Sequence, residues 1–248
     1  MVQEHSWGER LLHLFLPNQC MFCGKPLASG LRRCESCEAQ AVRPDPRICP
    51  VCEQLRADCR CRRPFQGLAA PFYYEMGADK AIQDLKFHGN LLNARKLGDD
   101  LAELLVHPGL PDEFCYGAAL VPVPLHPRDR RRRGYNQAEE IARQISRRTG
   151  IPLRPEALKK CRRTAKQHEL SAAQRKTNLQ GAYQASLRGL EGQVLLLVDD
   201  VFTTGSTMDV CASALLQAGA SQVYCLTAAK TRRRGPASPG SHQAGARL

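Results

Sequence analysis

The chain has no apolar run approaching the about 18 residues that a membrane-spanning helix needs. Nor does it open like a secretory leader, because Glu4 and Glu9 stand where a basic stretch should precede a long apolar core. These absences predict a cytoplasmic protein with no direct membrane insertion. Two familiar phosphate signatures are missing as well. The chain lacks the Gly-Lys-Ser/Thr pair of a Walker loop after an apolar strand, and its one small-residue loop there has a single glycine where the dinucleotide fingerprint uses three. Acidic residues are in the minority: 24 Asp and Glu face 36 Lys and Arg across 248 residues, a formal charge of +12. That balance favours anionic partners, phosphates or nucleic acid, without choosing between them. With 43% hydrophobic residues, the chain can bury the core of one ordinary domain plus a small one.

Cysteine, by contrast, is plentiful: twelve are present, and eight crowd into residues 20–61. In a reducing cytosol such crowding points to thiolates and metal rather than disulfides. Cys20-Met-Phe-Cys23 and Cys34-Glu-Ser-Cys37 form one pair of turns; Cys49-Pro-Val-Cys52 and Cys59-Arg-Cys61 form a second. Four thiolates with no open position are the donor set of a structural Zn²⁺ site. Two such ions are therefore expected on Cys20, Cys23, Cys34, Cys37, Cys49, Cys52, Cys59 and Cys61, with sequential and cross-braced pairing both open. Metal-bound thiolates would bring the net charge down to about +8. The two sets are offset by 29 residues, a weak internal repeat. They differ at a turn position, where Gly24 follows the first knuckle and Glu53 the second. Cys115, Cys161, Cys211 and Cys225 are scattered and read as small core residues.

Ahead of the cysteines, Trp7, Leu11, Leu12, Leu14 and Phe15 have the spacing of a short amphipathic helix that packs on the body. Past Pro64 the cysteines stop and Phe72-Tyr-Tyr-Glu75 reads as strand-like, which divides the chain into residues 1–65, 66–230 and a basic tail at 231–248 expected to be disordered. Residues 80–87 and 91–106 carry helical spacing. Ala118-Ala-Leu-Val-Pro-Val-Pro124 reads as a strand running into a rigid loop, since proline removes the ladder donor. A basic loop at 128–137 and a helix from Ala138 to about Arg148 follow. The loop would meet a pyrophosphate, or else face solvent or DNA. Residues 162–178 are polar and basic, as a functional lid or a disordered loop would be.

Val194-Leu-Leu-Leu-Val198 is the short branched apolar run of a buried strand. Asp199 and Asp200 fall at its carboxyl end, where open parallel sheets bind ligands. Thr203, Thr204, Gly205, Ser206 and Thr207 then offer backbone N–H groups, hydroxyls and one glycine, and they open a helical segment at 208–218. A loop so placed receives an anionic phosphate. Two acids followed by an anion loop suit a sugar phosphate held at both ends.

The stretch resembles the phosphoribosyl pyrophosphate (PRPP) motif of type I phosphoribosyltransferases. That resemblance implies that Asp199 and Asp200 hold the ribose hydroxyls and that Val201, Thr203, Thr204, Gly205, Ser206 and Thr207 wrap the 5-phosphate. Over residues 16–230 the chain is similar to the ComF family of competence and DNA-utilization proteins. The likeness is carried in order by the Cys quartets, Leu85-Lys-Phe87, Val121-Pro-Val-Pro-Leu125 with Arg133-Gly-Tyr-Asn-Gln137, Arg163-Thr-x-x-Gln167 with Arg175-x-x-Asn178, and the acid-pair loop. The Cys59/Cys61 spacing departs from the Cys-x-x-Cys that commonly closes the second ribbon.

This likeness implies an α/β chain with the type I phosphoribosyltransferase fold, a parallel sheet flanked by helices, and a small N-terminal double zinc-ribbon domain; our hypothesis is that this domain takes the place of the base-recognising hood and reads an unusual acceptor or a nucleic acid. It implies a role in DNA uptake or utilization, with transfer of phosphoribosyl from PRPP to an unnamed acceptor, release of pyrophosphate, and Mg²⁺ bound with PRPP. Arg163 and Arg175 would join Asp199 and Asp200 as catalytic residues, and Lys86, Arg133 and Gln167 would join the PRPP contacts. A non-catalytic PRPP or nucleotide sensor, or an accessory module for single-stranded DNA, stands beside the enzyme reading. The implied partners are PRPP, single-stranded DNA and the DNA-uptake machinery.

Overall fold

The computed structural model describes residues 18–106, 117–162, 181–186 and 189–232. The expected amino-terminal helix, Cys115 and the tail beyond Arg232 lie outside those residues. Seven strands are described: β1 (Gly67–Ala69), β2 (Phe72–Tyr73), β3 (Ala118–Pro122), β4 (Leu158–Lys160), β5 (Tyr183–Ala185), β6 (Val194–Phe202) and β7 (Gln222–Lys230). The helices are α1 (Glu35–Gln40), α2 (Ala78–Phe87), α3 (Leu91–Val106), α4 (Pro127–Arg133), α5 (Gln137–Thr149) and α6 (Ser206–Gln217).

A five-stranded, all-parallel sheet runs β1-β7-β6-β3, with β2 also on β7. β1 and β2 keep one register on β7, Gly67 opposite Tyr224 and Phe72 opposite Ala229. They are a single edge strand broken at Ala70-Pro71, where proline has no N–H to give the ladder. β4 and β5 form a separate antiparallel hairpin.

Side chains alternate across a strand, and the two faces of this sheet bury different partners. Leu196, Val198 and Leu226 pack with Ile82 and Leu85 of α2, Leu97 and Leu101 of α3, and Ile141 and Ile145 of α5. Leu195, Leu197 and Cys225 pack with Met208, Cys211 and Leu215 of α6 and with Leu158 and Tyr183 of the hairpin. Coverage on both faces is why the strand at 194 reads as an unbroken apolar run rather than an alternating one. Cys211 and Cys225 are buried as expected, whereas Cys161 is exposed.

Two expectations need correction. The basic stretch begins as helix rather than loop. Pro127 stands in the first turn, the His126 ring accepts from the Arg128 N–H at 3.2 Å, and Gly134 (φ 84) closes the helix after Arg133. The strand carrying the acids also runs on past them to Phe202, because β7 continues beside it as far as Lys230.

The 29-residue repeat is real in three dimensions. Bridges join Gln19 to Pro26 and Ile48 to Leu55, and the Gly24 and Glu53 N–H groups donate to the Cys20 and Cys49 carbonyls at 2.8 and 2.9 Å. Glu53 adopts φ 62, the same left-handed region as Gly24 at φ 79.

Candidate functional site

The acid pair stands where β3 leaves the sheet. The last link between the strands is the Val123 N–H donating to the Val198 carbonyl at 2.8 Å. Beyond it, among the described residues, β6 pairs only with β7, so the β3-side edge of the strand is free of ladder bonds at Asp199 and Asp200. Asn136 shapes the corner: its side chain donates to the Val123 carbonyl at 3.0 Å and accepts from the Ala138 N–H at 3.2 Å, capping α5. Tyr135 donates its hydroxyl proton to the Leu85 carbonyl, which ties the end of α2 to the same corner.

Because successive residues of a strand face opposite ways, the two acids straddle the sheet. Asp200 lies on the α2 side, with Lys86 Nζ at 2.7 Å. Burial opposes the Lys86 charge, but the Asp200 carboxylate and then that of Asp199 outweigh it and hold its pKa above the ordinary lysine value. Asp199 lies on the side of the hairpin and α6, and its Oδ1 accepts from the Asp200 N–H at 2.9 Å. Burial, and next the neighbouring Asp200 charge, push the Asp199 carboxyl up to about 7, against the pull of Lys86 and Lys160. Lys160, its ammonium 5.2 Å from the Tyr183 ring centroid, is depressed by burial and supported in part by Asp199. Lys86 pairs with Asp200 and also acts on Asp199, to which Lys160 adds a weaker pull; Lys160 was not singled out by sequence because nothing in Leu158-Lys-Lys160 marks one lysine as inward.

After Phe202 the chain makes the hydroxyl-rich loop. Thr203 and Thr204 are exposed, Gly205 turns at φ 82, and Ser206 and Thr207 begin α6. Thr204 Oγ1 lies 2.9 Å from Ser206 Oγ. The first turn of α6 and the positive end of its helix dipole adjoin this loop, the arrangement that takes an anion. Val201 is half-buried in the strand opposite Ala229. Arg133 ends α4 with its guanidinium 5.9 Å from the centroid of the Phe87 ring, and Phe87 is 71% exposed. Arg163, Gln167 and Arg175 lie outside the described residues, in the segment connecting β4 to β5.

The cysteines gather in sequence order, not cross-braced. Cys20, Cys23, Cys34 and Cys37 form one group and Cys49, Cys52, Cys59 and Cys61 another, with the sulfurs of each group within 4.8 Å of one another. Sulfur separations of 3.8 Å for Cys23/Cys34 and 3.6 Å for Cys49/Cys61 match the edge of a thiolate tetrahedron around Zn²⁺, about 3.8 Å for bonds near 2.3 Å. The Cys59/Cys61 pair is tighter at 3.0 Å, as its one-residue spacing foreshadowed. Burial opposes ionisation of Cys20, but N–H groups of Cys34, Cys23 and Phe22 outweigh it and bring the thiol down to about 6. Cys49 comes down to about 7 in the same way, through N–H groups of Cys52 and Val51. Cys37, Cys52 and Cys61 are pushed the other way, chiefly by burial, so it is the donor set and its spacing that fit each group to a four-thiolate zinc site.

Three contacts that the sequence did not suggest tie the second group to the loop. Arg63 donates to the Thr204 carbonyl at 3.2 Å and pairs with Asp209 in the first turn of α6, while Glu53 pairs with Lys230 at 2.6 Å. The only hint in the sequence is the arginine-rich link Arg60, Arg62 and Arg63.

Comparison with known proteins gives a consistent picture. A family model described as "Phosphoribosyl transferase domain" matches residues 131–243. The chain is 34% identical over 223 residues to "DNA utilization protein YhgH" of Escherichia coli (strain K12), covering 86% of this chain and 98% of that protein. It is 37% identical over 107 residues to "Competence protein F" of Haemophilus influenzae, covering 42% of this chain and 47% of that protein. Against "Competence protein ComFC" of Bacillus subtilis the identity is 27% over 203 residues, covering 75% of this chain and 78% of that protein.

Proposed function

The chain belongs to the ComF family of competence and DNA-utilization proteins, and on that footing we propose that it binds PRPP at residues 199–207 and transfers the phosphoribosyl group to an acceptor, releasing pyrophosphate. One observation carries the reading: two adjacent carboxylates near the end of a strand, one of them paired with Lys86, are followed at once by a hydroxyl loop at a helix N-terminus. Asp200 and Asp199 would each accept from one ribose hydroxyl. Thr203, Thr204, Gly205, Ser206 and Thr207 would take the 5-phosphate with N–H and hydroxyl donors.

As pyrophosphate departs, C1 of the ribose gains oxocarbenium character, and the chain's work is positioning and charge stabilisation. Lys86 stays charged beside Asp200 and would help to offset the charge of the departing pyrophosphate. Mg²⁺, bound with PRPP, would neutralise the leaving group, leaving Asp199 and Asp200 to the ribose. Arg133, Arg163, Gln167 and Arg175 are assigned to the pyrophosphate side by the family resemblance. Two zinc ions would fasten the cysteine groups in a cytoplasmic protein, where thiols stay reduced.

The test is calorimetric titration of PRPP, with and without Mg²⁺, into wild type and the Asp199→Asn/Asp200→Asn variant. Binding that the variant loses by at least about tenfold is expected, since two charge-assisted bonds go. Wild type that fails to bind PRPP ends the proposal. Binding without pyrophosphate release, across bases, amines and DNA ends, would leave a PRPP sensor.

A second reading is favoured by Phe87. A ring 71% exposed beside a guanidinium, on the same corner as Arg128, Arg130, Arg131 and Arg132, is the pairing on which single-stranded bases stack while arginines track the backbone. Affinity for single-stranded DNA should then fall steeply with salt, and Arg131→Ala/Arg132→Ala should flatten that slope. A salt-independent affinity would remove this reading.

A further inference from the structure

Arg63 lies two residues past Cys61, and its side chain is 27% exposed. Its guanidinium donates to the Thr204 carbonyl at 3.2 Å and also pairs with Asp209. The first contact fixes more than one atom. A trans peptide is planar, so its C=O and the N–H that follows point opposite ways. Holding the Thr204 oxygen toward the cysteine-rich segment therefore aims the Gly205 N–H toward the other side of the loop. The second contact cancels a liability, because the Asp209 carboxylate in the first turn of α6 would repel an incoming phosphate.

The surroundings leave this arrangement little slack. Gly205 turns at φ 82, and a Cβ there would stand 2.6 Å from the Phe202 ring and 3.2 Å from Arg63 Nη1. Phe202 packs edge-on against Phe65, two residues beyond Arg63, with ring centroids 6.3 Å apart. On the other flank, Glu53 pairs at 2.6 Å with Lys230, which is 1% exposed and lies opposite Phe202 in the sheet register. Glu53 holds φ 62 where the matching residue of the first knuckle is glycine. A side chain kept at a strained backbone position is informative when its carboxylate has a use. The segment that the second cysteine group fastens thus holds the loop through Arg63 and the strand beside the loop's start through Glu53.

We propose that the phosphate loop is completed by this segment, with Arg63 as its positioning residue: it presets the Thr204–Gly205 peptide and neutralises Asp209 so that the loop accepts the dianion of a ribose 5-phosphate. The proposal rests on the loop being the 5-phosphate site of the reading above. Ribose 5-phosphate and PRPP are titrated into the zinc-loaded full chain as wild type, Arg63→Met and Arg63→Lys, and amide hydrogen exchange, zinc content and Tm are measured on each.

Arg63→Met should bind about tenfold more weakly, as expected for loss of a charge-assisted contact, with faster exchange at the Gly205 and Ser206 amides. Zinc should stay at two per chain and Tm within a few degrees. Arg63→Lys keeps a cation and a donor but not the fork, and should lose only about threefold. Unchanged affinity in Arg63→Met overturns the proposal, as does a loss that merely follows Tm or zinc. If wild type binds neither sugar phosphate, the reading of the loop's ligand fails. Exchange then decides the brace by itself: raised exchange in Arg63→Met supports it and unchanged protection overturns it.

Discussion

Replacing Glu53 by glycine sets two effects of opposite sign against each other. At φ 62 a residue with a Cβ costs about 1–2 kcal/mol, which glycine would recover. The same substitution takes the carboxylate from Lys230, whose side chain is 2% exposed and whose ammonium lies over the Tyr73 ring at 4.6 Å. Breaking a buried pair from one side costs about 3–5 kcal/mol, and the 22% exposure of Glu53 argues for the lower end. The net loss should be about 1–3 kcal/mol. For a chain of this size that lowers Tm by roughly 2–10 °C, read by calorimetry on zinc-loaded protein. Lys230→Met in the glycine background removes the stranded charge and keeps the backbone relief, so the double variant should regain most of the loss. The coupling over the cycle should be about 2–3 kcal/mol. A Tm that rises in Glu53→Gly, or a coupling near zero, would refute the reasoning, because strain would then outweigh an ion pair of no consequence.

The remaining predictions concern the site and its metals. Gly205→Ala meets both a forbidding φ and the Phe202 ring at 2.6 Å, so ribose 5-phosphate affinity should drop by at least about tenfold; wild-type affinity would mean that the loop takes another shape when loaded. Cys61→Ser should lower zinc from about two to about one equivalent by metal analysis, and should weaken ribose 5-phosphate binding as Arg63→Met does. The Asp199 carboxyl, held up to about 7 by burial and by Asp200, titrates near 3.9 or so when unfolded. A folded state that holds this proton more tightly has its full contribution below about pH 4 and loses it as pH rises through about 7. Asp199→Asn should therefore flatten the stability profile over that window and be more stable than wild type at pH 8, on the order of 2 kcal/mol, by denaturant titration. A steeper profile in the variant would contradict the assignment.

Much of this molecule was legible because its signals are local. Helical spacing predicted helices at 80–87 and 91–106, and α2 and α3 span 78–87 and 91–106. The apolar run before Asp199 read as a buried strand because both sheet faces are covered. Where the reading fell short, the deciding partner was distant in sequence. β6 outruns its apolar stretch because β7 lies beside it, and no local pattern in Asp199-Asp-Val-Phe202 announces that partner. The arginine run looked like a loop because its charge dominated, whereas His126, Pro127 and Gly134 supply the caps that make it a helix. Lys160, Arg63 and Lys230 escaped notice because an inward basic residue is recognised only by the acid it meets.

The two cysteine turns share a backbone pattern but differ in what they pack against, and those differences divide the labour between them. The first buries Met21 and Phe22 in the core, where Phe22 stacks edge-on to Phe72 at 5.5 Å beneath the Arg33 guanidinium. Arg33 is itself fixed to Asp100 of α3 at 2.6 Å. That turn is a wedge in the sheet's packing, so stripping its metal should unfold the neighbourhood of α3. The second buries little beyond Cys49 and sets charged groups, Glu53 and Arg63, against the end of β7 and the phosphate loop. Stripping its metal should spare the core and loosen the loop. A repeat with interchangeable halves would predict equal losses of Tm from Cys20→Ser and Cys61→Ser. The packing predicts instead the larger loss of Tm from Cys20→Ser and, for Cys61→Ser, a loss of Tm no greater than that of breaking the Glu53–Lys230 pair, with a large loss of ribose 5-phosphate affinity.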